Sequence, residues 1–461
     1  MIHQLLFTEN RGVCMEAVKE KLHLFTLTWP IFLEMLLFTL MGIVDTLMLS
    51  KLADDAVAGV GTANQFIHVT ILILEVIGNG ASIVVAQYIG SKRFNEVPKI
   101  AAVAIVLNLF FGLIMSGIFL LFSNAMMVAM NLQGDVLQYA EQYLIIIGGG
   151  IFLQALINAT AAIVRVHSFT KQAMYVSLSM NIVHIVLNYI LIFGHFGAPA
   201  LGVQGAAISS VISRAIALIV FCWLLYRVLA VKIQWGDFIA MPMNYIKKIF
   251  KIGIPSALEQ ALYQTCQIVL MYYVTYLGAE ALAARQYAYN ISMFTYLFAM
   301  AIGAGTAIIV GRYVGAGMKE EAYHQLWRSV RWALSLTVIC VIVVIIFREQ
   351  LMSVFTSNKE VIKIGASVLL LSIFLETGRT FNITIINTLR AAGDATFPLI
   401  LGFFSMVCMS LPLGYFLVFH LNMGLPGVWL AIAADEWCRG IIVMIRWKSR
   451  KWERHILVSP K

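Results

Sequence analysis

With 461 residues, of which 61% are hydrophobic and only 12% charged, the chain is too apolar for an ordinary soluble domain, whose charged share is about a quarter. Its net charge of +9 does not indicate nucleic acid, because phosphate binding needs a solvated basic face and here Lys and Arg punctuate apolar runs. The composition is that of an all-α polytopic membrane protein.

Residues 1–22 are polar and charged, so no signal peptide is expected ahead of the first span, and Met15 is an alternative start. Apolar runs of spanning length follow at 23–50, 56–88, 99–124, 138–160, 172–194, 206–227, 251–277, 281–311, 330–347, 362–386, 398–420 and 426–446. Twelve transmembrane helices are therefore expected. If residues 1–22 are cytoplasmic, 24 of the 32 Lys and Arg fall in inner loops and tails. Only Lys51, Arg348, Lys359 and Lys363 fall outside, and Arg214, Arg285, Arg379 and Arg439 lie within spans. That asymmetry predicts a cell-membrane protein with both termini in the cytoplasm. The six cysteines, Cys14, Cys222, Cys266, Cys340, Cys408 and Cys438, have no metal-ligand spacing and read as small core residues.

The polar stretch 228–250 sits at the midpoint and separates two six-helix lobes, 23–227 and 251–447, with a cytoplasmic segment at 1–22 and a basic tail at 448–461. An internal repeat supports the division. A shift of 225 residues places PIFLEMLLFTLMGIV on PSALEQALYQTCQIV and GNGASIVVAQYIG on GAGTAIIVGRYVG, and Arg165 on Arg390. A unit of six spans is even, so the two bundles enter from the same side and are related by a pseudo-two-fold axis along the membrane normal.

Ionisable side chains inside spans are costly and mark ion or substrate paths by default. Glu34, Phe38, Met41 and Asp45 share one face of the first span, with the two carboxylates about 16 Å apart along the axis. In the repeat Glu34 meets Glu259, but Asp45 meets Leu270, so ion coupling at Asp45 belongs to the amino-terminal lobe alone. The second span presents Asn64, His68, Glu75 and Asn79, the fourth Gln154 and Asn158, and the fifth Ser177, Asn181, His184 and Asn188, each set at helical spacing. These stripes either hydrate a cavity reaching Asp45 or bond one helix to another. In the second lobe Glu259, Tyr263 and Cys266 repeat the first-span stripe beside Gln260, Gln264 and Gln267, and Arg285 and Tyr289 mark the outer end of the eighth span. Glu376 with Arg379, and Glu436 with Arg439, stand three apart and are expected to form local structural ion pairs.

The candidate ion-coupling residues are thus Asp45, Glu34, Asn181, His184, Asn188 and Glu259. Gln154, Asn158, Glu75, Tyr263, Gln264, Gln267 and Tyr289 are candidates for a substrate cavity. Gly78, Gly80, Gly303 and Gly305, with Gly148 to Gly150, allow helices to bend or approach closely. No Walker, dinucleotide, nucleophile-elbow or HExxH motif occurs, so neither an enzyme nor a bound cofactor or metal is expected, and active transport would draw on an ion gradient.

MGIVDTLMLS at 41–50, LNYILIFG at 187–194, IGIPSALEQ at 252–260, INTLRAAGDATFP at 386–398 and the closing PGVWLAIAADEWCRGIIVMIRWKSRKW resemble the multidrug and toxic compound extrusion (MATE) family. That resemblance spans nearly the whole chain. It implies two six-helix lobes that export organic, commonly cationic, compounds in exchange for protons or sodium. The family's first-span aspartate falls on Asp45 and its seventh-span glutamate on Glu259. Many relatives carry an asparagine and an aspartate four residues apart on the fifth span, where this chain has His184 and Asn188. The lobe so keeps one of two implied acids, which favours protons over a multi-carboxylate sodium site. A monomer in contact with membrane lipid is expected. Export of a lipid-linked saccharide is the alternative function, weakened by the scarcity of embedded cations.

Overall fold

The computed structural model describes residues 23–229 and 232–458; the expected cytoplasmic segment 1–22 lies outside them. Among the described residues the regular structure is entirely helical. The chain forms two compact units, one ending at Gly253 and the other beginning at Ile254.

The first unit contains α1 (Leu24–Ser50), α2 (Asp54–Gly90), α3 (Val97–Ala129), α4 (Gly134–Gly149), α5 (Ile151–Val166), α6 (Thr170–Phe193), α7 (Val203–Val228) and the short α8 (Trp235–Ala240). α4 and α5 make one crossing bent by 45°. The bend falls in the expected glycine run: a Cβ on Gly148 would lie 2.5–2.8 Å from the Phe119 side chain, so glycine admits the close approach of α3. Leu49, Val60, Leu74, Phe119, Leu144 and Ile151 form the core of this unit.

α9 (Met243–Thr275) begins in the first unit and ends in the second. Then follow α10 (Ala279–Gly315), α11 (Lys319–Ile346), the short α12 (Arg348–Ser353), α13 (Lys359–Ala391), α14 (Thr396–Ser405), α15 (Leu411–Tyr415) and α16 (Leu425–Lys448). Two π-helical turns, Met406–Ser410 and Phe416–His420, flank α15 within the single crossing Thr396–His420. Pro412 at the start of α15 lacks the amide hydrogen that a regular ladder needs there.

Among the described residues nine helices are long and apolar enough to span a bilayer, and the bent α4–α5 pair makes a tenth. The two other predicted spans coincide with α9 and α16, which have spanning length but carry Glu259, Gln260, Gln264 and Gln267, or Asp435, Glu436 and Arg439, inside the bilayer depth. Such groups are tolerated where they turn into protein.

The unit boundary differs from the linker expected at 228–250. Residues 243–250 are already helix, and Tyr245, Ile249 and Ile252 are buried against the first unit. A Cβ on Gly253 would lie 2.5 Å from the Val76 carbonyl oxygen, so the start of α9 packs directly on α2. Part of the expected basic tail, 448–461, has regular structure. Lys451–His455 forms a 3-10 turn that stacks a fully buried Trp452 on Trp447 with centroids 4.4 Å apart.

Candidate functional site

The polar stripes of α1 and α6 meet along their length. Near their starts, Ser177 Oγ donates to Glu34 Oε1 at 2.9 Å. Further along, Asp45 Oδ1 lies 2.7 Å from His184 Nε2 and accepts from Asn188 Nδ2 at 2.7 Å. α7 closes the far side, with Ser210 and Ser213 hydroxyls 3.4 and 3.5 Å from His184 Nδ1. Helical spacing on α6 makes this possible, because Ser177, His184 and Asn188 project toward one neighbour.

The arrangement is an acid and a base in direct contact. Ser213 donates its own hydrogen to the Ser210 carbonyl at 3.0 Å, which leaves its oxygen as an acceptor toward Nδ1. Two hydrogens can therefore be distributed over Oδ1, Nε2 and Nδ1: a neutral Asp45 donates to Nε2, or an imidazolium donates from both nitrogens. Removing one leaves carboxylate and neutral imidazole. His184 is 0% exposed, whereas the Asp45 side chain is 21% exposed. Asn181, expected in the same set, is buried, and its Oδ1 has no hydrogen-bond partner among the described residues.

Glu34 is engaged elsewhere. Arg165 Nη1 donates to its Oε1 at 2.9 Å, and Arg165 also faces the half-buried Glu75. In the second unit Arg390 Nη2 donates to Glu259 Oε2 at 2.7 Å. Both pairs span 131 residues, so the repeat preserves the acid, the arginine and the bond between them. Glu34 and Glu259, expected as ion-coupling candidates, are each held by an arginine in repeat-related ion pairs. The 225-residue offset relates both acids and both arginines in the sequence, but which acid meets which arginine is set by packing.

Among the cavity candidates, Gln154 Nε2 donates to Asn158 Oδ1 at 2.8 Å, a pairing within one helix. Tyr263 OH accepts from Arg379 at 3.5 Å, Gln267 Oε1 accepts from Arg285 at 3.3 Å, and Gln264 and Tyr289 are exposed on the second unit. The two expected local pairs belong to one buried cluster. Arg379 meets Glu376 at 2.8 Å, and Arg439 meets Glu436 at 3.1 Å and Asp435 at 2.8 Å. Arg379 Nε lies 3.8 Å from Glu436, whose Oε2 also accepts from Asn382 at 2.8 Å, and Ser405 bonds Asp435. Sequence reading missed Asp435, Asn382 and Ser405 here. In the first unit it missed Tyr143, which with Arg214 lies within electrostatic reach of Asp45.

The MatE family profile matches residues 30–190 and 255–416, one segment in each half. The uncharacterized transporter YisQ of Bacillus subtilis strain 168 is 39% identical over 429 residues, covering 93% of this chain and 94% of that protein. A probable multidrug resistance protein NorM of Thermotoga maritima is 28% identical over 450 residues, 96% of each chain. Among solved structures, an outward-facing multidrug resistance MATE family transporter of the MOP superfamily matches with a TM-score of 0.85 at 22% identity, covering 95% of this chain and 96% of the other. A MATE in the bent conformation matches with a TM-score of 0.86 at 22% identity, covering 97% and 96%. At that identity the likeness speaks for the fold. The profile in both halves and the relatives along nearly the whole length show that this chain belongs to the MatE family of membrane transporters.

Proposed function

We infer that the protein is a proton-coupled antiporter that exports organic compounds across the cell membrane by alternating access, with both termini in the cytoplasm. The multidrug resistance names of its NorM relatives support a broad organic substrate class. The observation that carries proton coupling is the direct Asp45–His184 contact. Asp45 is the one carboxylate of this cluster, and its Oδ1 is met by two nitrogen atoms, an environment suited to exchanging hydrogens. A hard cation such as sodium prefers a shell of oxygens. Protonation at the pair removes the negative charge that α6 and α7 hold in place, which lets α1 repack and release substrate outward; deprotonation toward the inside resets it.

The test is efflux of a dye or drug from proteoliposomes with a proton gradient or a sodium gradient imposed separately. Proton-driven efflux that disappears in Asp45→Asn is expected. Efflux driven by sodium alone, or full proton-driven efflux by Asp45→Asn, would reject the reading.

A further inference from the structure

Arg348, Lys359 and Lys363 are three of the four Lys and Arg that fall on the outer side in the proposed topology. The charge rule gives no reason for basic residues there, yet these three stand together. They line one groove of the second unit with a volume of about 390 Å³, within the range of small-molecule sites. Glu349 is the carboxylate beside them, and Ile362, Ala366 and Leu370 continue the same groove as an apolar strip.

Two helices build the groove. α12 supplies Arg348 and Glu349, and α13 supplies the rest. On α13, Lys359 and Lys363 are one turn apart, and Ile362, Ala366 and Leu370 follow at intervals of four along one face. From Lys359 to Leu370 the helix rises about 16 Å, roughly half the hydrocarbon depth of a bilayer. The walls are fixed in place. A Cβ on Gly365 would lie 2.6 Å from the Sδ of the fully buried Met352, so α12 packs tightly on α13. Asn358 Oδ1 accepts from the Glu360 and Val361 amides at 2.9 and 3.4 Å, which caps the turn that carries Lys359. Among the described residues every ion pair of the second unit lies elsewhere, and none includes Arg348, Lys359 or Lys363. Arg348 uses one donor on the Ile345 carbonyl at 2.9 Å, and the remainder of its fork is open to another acceptor.

We propose that this groove holds an anionic phospholipid of the outer leaflet, its phosphate on Arg348, Lys359 and Lys363 and an acyl chain along Ile362, Ala366 and Leu370. Three cations against one carboxylate leave the mouth positively charged, which complements a phosphodiester. The planar guanidinium of Arg348 can meet two phosphate oxygens, and the lysines add point charges. A lipid matches the groove better than a soluble phosphate, because the charged mouth passes directly into the apolar strip. Leu370 is 49% exposed, and Phe374, one turn deeper, is 58% exposed. A soluble anion would leave that strip uncovered, whereas a bound chain lies along it. The site shares no residue with the Asp45–His184 pair, so it stands or falls separately from the coupling ion.

The experiment counts lipids retained by the full-length protein in detergent, using native mass spectrometry during titration with phosphatidylglycerol or with phosphatidylcholine of the same chains. Wild type is expected to bind one phosphatidylglycerol more tightly than phosphatidylcholine. Lys359→Gln combined with Lys363→Gln should weaken that binding about 30-fold, the factor two basic side chains contribute at an anionic lipid surface. Leu370→Gln should weaken it as well, and Lys51→Gln, which removes the remaining outer cation, should bind as wild type does. Phosphatidylglycerol should also raise the unfolding midpoint of wild type more than that of the double variant. Lys359 and Lys363 are exposed, so their replacement leaves the packing intact, and the comparison of the two lipids on wild type needs no variant. Equal affinity for the two lipids, or equal phosphatidylglycerol binding by wild type and the double variant, overturns the proposal. So does an equal loss in Lys51→Gln, which would make the effect one of diffuse charge. Binding of glycerol phosphate as tight as that of the lipid would assign the groove to a soluble phosphate and overturn it too.

Discussion

At the scale of single residues the site turns on His184. Its spacing from Asn188 and Ser177 was readable as a stripe, but a stripe does not say which neighbour it faces. The structure gives it Asp45 on one nitrogen and two serine hydroxyls on the other. His184→Asn keeps a donor toward Asp45 and removes the second proton site. Initial efflux rates measured against internal pH should then follow a different profile in the variant, because the proton can no longer be shared with an imidazole; identical profiles would separate His184 from coupling. The second unit offers a contrasting residue. Arg439 is buried between Asp435 and Glu436, and Arg439→Met leaves both carboxylates without their cation. Breaking a buried ion pair from one side costs about 3–5 kcal/mol, so detergent-solubilised variant should melt well below wild type, and an unchanged midpoint would contradict the cluster's structural role.

At the scale of elements the repeat explains why two helices carry the same device. Pro30 in α1 and Pro255 in α9 each precede by one turn an acid tied to an arginine at the end of the fourth crossing of its unit. Proline removes a backbone hydrogen bond and weakens the helix there, and the ion pair fastens the weakened segment to a neighbour. Glu34→Arg combined with Arg165→Glu should recover most of the stability that either reversal loses. A double-mutant cycle by thermal unfolding should read a coupling of about 1–3 kcal/mol, the range for charge-assisted hydrogen bonds. The coupling between Glu259 and Arg390 should be the larger, because that carboxylate is more buried, at 8% side-chain exposure against 18%. Equal or absent coupling in both would remove the pairs from the account of the repeat.

At the scale of the whole molecule the end of the described chain is part of the second unit. Besides the Trp447–Trp452 stack, Arg446 Nε meets Asp394 at 2.8 Å and Lys319 meets Glu453 at 2.8 Å. Trp452→Ala removes a fully buried ring, a change that costs about 3–5 kcal/mol, and should lower the unfolding midpoint without changing the pH dependence of efflux. A shifted pH profile with unchanged stability would contradict that placement. Hydropathy and charge determined the helical membrane fold, the number of crossings and the duplication, because a bilayer imposes its thickness and its charge rule on each segment separately. Periodicity also placed Asp45, His184 and Asn188 on faces that could meet. Which faces did meet depended on packing between helices distant in the sequence, and no local period encodes that choice. So packing brought His184 to Asp45, drew Glu34 and Glu259 to arginines, gathered Glu376, Asp435 and Glu436 around two guanidiniums, and left Arg214 buried with a free donor.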